Sequence, residues 1–61
     1  MNRNYEVVAR QIVSGRPEKI VRVIVTAPNW RQARRRAIEK FRYYDGIFKN
    51  VVAFAVIHDA A

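Results

Sequence analysis

The chain has 61 residues, no cysteine and a net charge of +7, from twelve Lys and Arg against five Asp and Glu. A chain this short is one domain, 1–61, burying only about 60% of the surface it exposes when unfolded. That excludes a disulfide framework and cysteine-based zinc sites, so added stability must come from self-association or from a partner. Residues 1–4, MNRN, lead straight into strand-like sequence. No apolar run approaches the roughly 18 residues of a membrane span, which predicts a cytoplasmic, intracellular protein with no membrane partner.

Tyr5 to Ser14 is rich in β-branched residues and predicts a first strand. Gly15-Arg16-Pro17 is a turn signal, and Lys19 to Thr26 predicts a second strand, so the pair should form an antiparallel hairpin. Pro28 ends that strand. Asn29 is a good N-cap, with Gln32 placed for a capping box. The helix then runs from Asn29 to about Tyr44 and is stopped at Asp45-Gly46, Gly46 suiting the left-handed C′ position. Phe48 to His58 predicts a third strand, giving the order β-β-α-β. The fold class is α+β, a three-stranded sheet with one helix across one face.

At about 100° per residue, Trp30, Ala33, Ala37, Phe41 and Tyr44 form an apolar stripe facing the sheet. Trp30, Tyr44 and Phe48 therefore read as core, and Tyr43 turns outward. Arg31, Arg35 and Arg42 form a separate stripe toward solvent, with Arg36 beside it. Arg34 and Lys40 border the core stripe, where their stems can lie along it while the heads reach water. On the strands, Tyr5, Val7, Ala9 and Val13 share one face, as do Val21, Val23 and Val25, and these meet the helix. The opposite faces carry Glu6, Val8, Arg10 and Ile12, and Ile20, Arg22, Ile24 and Thr26. The third strand is apolar on both sides, as in strands buried on both faces. One helix covers one sheet face, so the other should be an apolar interface built from Val8, Ile12, Ile20, Ile24 and one face of the third strand. Arg10 and Arg22 lie on it, either contacting acids of a partner or pairing with Glu6.

The helix segment NWRQARRRAIEKFRYY holds six basic residues against one acid, Glu39. Nine of the twelve basic residues are arginine, whose planar fork of donors suits phosphate. Cations repeated along a rigid helix are what sequence-independent phosphate binding needs, with affinity from counterion release. Arg31, Arg34, Arg35, Arg36 and Arg42 are the candidate nucleic-acid residues, with Tyr43 as a stacking platform for bases. The alternative is a solvated charged face, which a single glutamate leaves mostly unpaired. Catalysis is not expected: His58 lacks a clustered partner and Ser14 lacks a base. No metal and no cofactor is expected either, the only glycines being Gly15 and Gly46.

With its hairpin, the segment VTAPNWRQARRRAIEKF and a closing strand, the layout resembles two small families. One is the short podophage inhibitor of bacterial RNA polymerase, and the other is a small archaeal large-subunit ribosomal protein. Ala27, Asn29, Ala33 and Ala37 carry the resemblance. The helix is basic here and tends acidic in the phage family. The resemblance implies either an RNA-bound protein or an inhibitor docking on a host enzyme. The leading expectation is a non-enzymatic protein binding DNA or RNA. The alternative is a protein-binding module using the open sheet face on an acidic partner; a homodimer through that face is compatible with both.

Overall fold

Along β1 (Arg3–Ile12), Tyr5, Val7, Ala9 and Gln11 are buried and alternate with the half-buried Glu6, Val8, Arg10 and Ile12. This period of two is that of a strand with one covered face. The computed structural model describes residues 1–56. β1 is the central strand, hydrogen-bonded on one side to β2 (Lys19–Ala27) and on the other to β3 (Ile47–Ala55), both antiparallel. The sheet order is β2-β1-β3, and α1 (Trp30–Phe41) connects the two edge strands. The chain is thus α+β with the order β-β-α-β. Since β2 and β3 both run opposite to β1, α1 must cross over β1, and it packs on all three strands.

The hairpin connection closes with Arg16 N–H donating to the Val13 carbonyl at 3.1 Å. Gly15 has φ +80° at the third position of this turn, where a type II turn demands it. The core beneath the helix is Tyr5, Val7, Ala9, Val25, Ala27, Ala33, Ala37 and Phe41, with Val21, Val23, Phe48, Val51 and Ala53 packed around it. Four of the eight are alanine. The helix therefore meets the sheet through Ala33 and Ala37 and anchors at its far end with Phe41, whose ring stacks on Phe48 at 4.3 Å and meets Tyr44 edge-on at 5.8 Å.

The element ends differ from the sequence expectation. β1 is shifted two residues toward the N-terminus, because Arg3 pairs with Ala27 and the hairpin turn already begins at Val13. The helix ends at Phe41 rather than Tyr44. Tyr43 and Tyr44 N–H donate to Lys40 and Phe41 carbonyls at 3.1 and 3.0 Å, the tightened i−3 pattern of a finishing turn. The chain must turn here because β3 begins at Ile47, opposite Ile12. Gly46 is therefore not the C′ residue. It has φ +89°, and its hydrogen faces the end of β1, where a Cβ would run into the Ile12 carbonyl and lie 2.7 Å from Val13 Cγ2. Gln11, buried and polar, donates to the Asp45 carbonyl at 2.8 Å and holds this connection down.

β3 departs from simple alternation. Val8 pairs with Val52 but Arg10 with Lys49, so Asn50 and Val51 together oppose Ala9 in a β-bulge. Asn50 has φ +55°, a conformation asparagine tolerates better than most residues. The bulge lets Phe48, Val51 and Ala53 all pack toward the helix, leaving Val52 and Phe54 on the opposite face. Regular alternation would have put Phe48 on the face of Val52. The expected continuation of the strand through Ile57 and His58 lies outside the described residues.

Candidate nucleic-acid interface

Helix α1 is positioned by Asn29, whose extended backbone (φ −155°) and side-chain oxygen, accepting from Gln32 N–H at 2.9 Å, cap its first turn. The first turn holds no acid. With Ala33, Ala37 and Phe41 facing the sheet, the opposite side is turned to solvent. There Arg31, Arg35 and Arg42 are all exposed and fall within about 40° of one another around the axis at 100° per residue. The expected arginine stripe is therefore present on the free side.

Arg34 and Arg36 do something else. They leave the helix on opposite flanks and reach the two outer strands. Arg34 Nε donates to the Val51 carbonyl at 3.1 Å, and Arg36 donates to the Thr26 carbonyl. Each bond uses one of five guanidinium N–H donors, so both heads are held in place yet keep donors for another ligand. The five candidate arginines thus divide into a free stripe of three and two anchored flanks.

Trp30 is not core. It is 55% exposed, and the buried stripe starts one turn later at Ala33. Helical side chains lean toward the N-terminus, so the ring of the first helical residue projects past the sheet-facing surface. The Arg31 guanidinium sits over it, 5.5 Å from the ring centroid. At the other end Tyr43 is 91% exposed, as its place on the wheel predicts. Tyr44, expected in the core, is about half exposed because the helix ends before it, but its ring still meets Phe48 edge-on at 6.0 Å. Exposed aromatic rings thus stand at both ends of the helix, Trp30 at its first residue and Tyr43 just beyond its last. Trp30 is the exposed aromatic residue that the helical wheel placed in the core; its place at the first helical position was the available signal.

Among the described residues no carboxylate forms an ion pair with these arginines, although Glu39 lies beside the stripe with Arg35 and Arg42. The ion pair found among the described residues joins Arg10 to Glu18, on the opposite side of the sheet. Arg10 donates to both Glu18 oxygens, one bond at 2.8 Å, and to Asn50 Oδ1 at 2.9 Å. Arg10 hydrogen bonding and charge hold the Glu18 carboxyl below its ordinary range, and Glu18 in turn raises the Arg10 guanidinium. The partner of Arg10 is therefore Glu18 of the hairpin connection rather than Glu6. Proximity in the folded hairpin, not sequence neighbourhood on one strand, makes the pair.

The open sheet face carries the other candidate residues. Ile20 and Ile24 are each 56% exposed, Phe54 53% and Val52 46%, with Val8 and Ile12 half-buried and Arg22 exposed. Val8 lies opposite Arg22, and Arg10 opposite Ile20, so Arg10 and Arg22 are diagonal neighbours. Among the described residues, no three His, Cys, Asp or Glu come together as metal ligands, and no helix is long and apolar enough to cross a membrane. His58 lies outside the described residues. No family model, no curated protein and no solved structure matches this chain.

Proposed function

We propose that this protein binds nucleic acid through the solvent face of α1, as a non-enzymatic module. One observation carries the reading: Arg31, Arg35 and Arg42 project from one side of a rigid helix with no carboxylate paired to them among the described residues. Their charge is available to phosphates, and binding releases counterions from the polyanion. Arg34 and Arg36, fixed on the flanks by their backbone bonds, widen the positive surface. Trp30 and Tyr43 offer π faces at its two ends, suited to unpaired bases.

The test is a variant with Arg31, Arg35 and Arg42 all replaced by alanine. Alanine is the best helix former and these side chains touch no core, so the fold is expected to survive. Affinity for DNA and RNA should fall uniformly across sequences, and the salt slope should drop by about one for each arginine removed. Unchanged affinity in the folded triple variant contradicts this function.

A further inference from the structure

We infer that the open face of the sheet is the seat of a second copy of this chain, packed sheet against sheet about a two-fold axis. The face lies opposite α1 and presents Ile20, Ile24, Val52 and Phe54, each roughly half exposed, around Val8. Exposed apolar patches of this continuity mark interfaces.

Charge selects the occupant. The helix segment holds six cations against Glu39 alone. The open face holds Glu6 and Glu18 against Arg10, Arg22 and Lys49, with Arg10 and Glu18 already paired. It is thus close to neutral, and neither a polyanion nor an acidic protein would prefer it to the helix. Glu6 and Arg22 have no ion-pair partner among the described residues. They are diagonal neighbours, Glu6 lying opposite Ile24 and Arg22 opposite Val8. A two-fold axis running across the strands at the level of Val7 reverses strand direction in the second copy. It sets Glu6 beside Arg22 of the second copy, and Arg22 beside its Glu6, while Phe54 lies over Val52 of the second copy. An isologous interface needs this self-complementarity.

Area sets the strength. The two outer strands have nine residues each, so the face measures about 30 by 14 Å. Counted on both copies that is about 800 Å² before the pleat is included, close to the roughly 1,000 Å² that a specific interface requires. The association should therefore be reversible and concentration-dependent. Resting on the nucleic-acid reading of α1, the dimer would carry two arginine faces pointing away from each other, able to hold two nucleic-acid segments at once.

Sedimentation velocity from about 1 μM to about 1 mM decides the matter. The wild type should pass from monomer to dimer. Glu6→Arg and Arg22→Glu, each shown folded by circular dichroism, should each weaken the dimer at least tenfold. An equimolar mixture of the two should regain it, because each then meets an opposite charge across the axis. Arg22 is exposed and Glu6 half-buried, so if Glu6→Arg fails to fold, Arg22→Glu against the wild type carries the test. A wild type that stays monomeric at the highest concentration overturns the proposal. Single variants that dimerise like the wild type, or a mixture that does not recover, overturn it as well. The Arg31, Arg35 and Arg42 triple variant should dimerise normally, so failure of the helix reading and failure of the dimer are separately visible.

Discussion

Gly46 and Asn50 sit on either side of the start of β3, both with positive φ, and between them set how that strand meets β1. At Gly46 any Cβ meets the end of β1, so Gly46→Ala combines a disfavoured backbone with a collision. It should destabilise the protein by about 1–3 kcal/mol in chemical denaturation, whereas Asn50→Gly, which keeps the positive φ and loses only the exposed bond from Arg10, should cost less, about 1 kcal/mol. The Arg10–Glu18 pair has a defined pH signature. Its Glu18 carboxyl titrates below its ordinary range when folded, so its stabilisation is complete above the unfolded pKa of about 4.3 and is lost as pH falls through the lower folded value. Glu18→Gln should lose less melting temperature than the wild type on acidification below about pH 4. Both groups are 42% exposed, so the difference should be small and should shrink further with salt. Tyr43→Ala should weaken single-stranded binding by about 1–3 kcal/mol and leave duplex binding nearly unchanged, as fluorescence titration would show. The special role of Gly46 was visible in the sequence only as a stop signal. Its contact with Ile12 depends on a strand more than thirty residues earlier, and no local pattern encodes that.

The helix is the element whose sequence pattern reads most directly, because its apolar residues recur at three and four positions and need no knowledge of the partner. Ala33, Ala37 and Phe41 face the sheet and Arg31, Arg35 and Arg42 face away, as that spacing implies. Its ends did not follow from the pattern. Trp30 and Tyr44 satisfy the wheel but lie outside the span that the sheet covers, and sheet length is a tertiary property. The bulge in β3 was hidden for a related reason: a run that is apolar on both sides gives no alternation against which a shift could be noticed. Asn29→Ala should cost about 1 kcal/mol through loss of the bond to Gln32 N–H. Ala37→Leu should cost about 1–3 kcal/mol or displace the helix, because the small, fully buried residue is what allows close approach to the sheet. Urea titration of each variant measures these values.

On the scale of the whole molecule, the sheet divides the chain into two unlike surfaces. The helix side holds most of the positive charge, and the open side holds exposed isoleucine, valine and phenylalanine with nearly balanced charge. The presence of both surfaces follows from one helix and three strands, and so could be read before any coordinates. The strand order β2-β1-β3 could not, because the hairpin ties β2 to β1 but nothing local says which free edge β3 takes. The same holds for Arg34 and Arg36, whose acceptors lie on the two outer strands. The central claim is that the arginine face of α1 meets phosphate. The most direct measurement is equilibrium binding of the wild type to labelled duplex DNA, single-stranded DNA and duplex RNA at roughly 50 and 200 mM salt. The expected result is micromolar or tighter binding at the lower salt to at least one polymer, falling by orders of magnitude at the higher. No binding at the lower salt, or binding indifferent to salt, would contradict it.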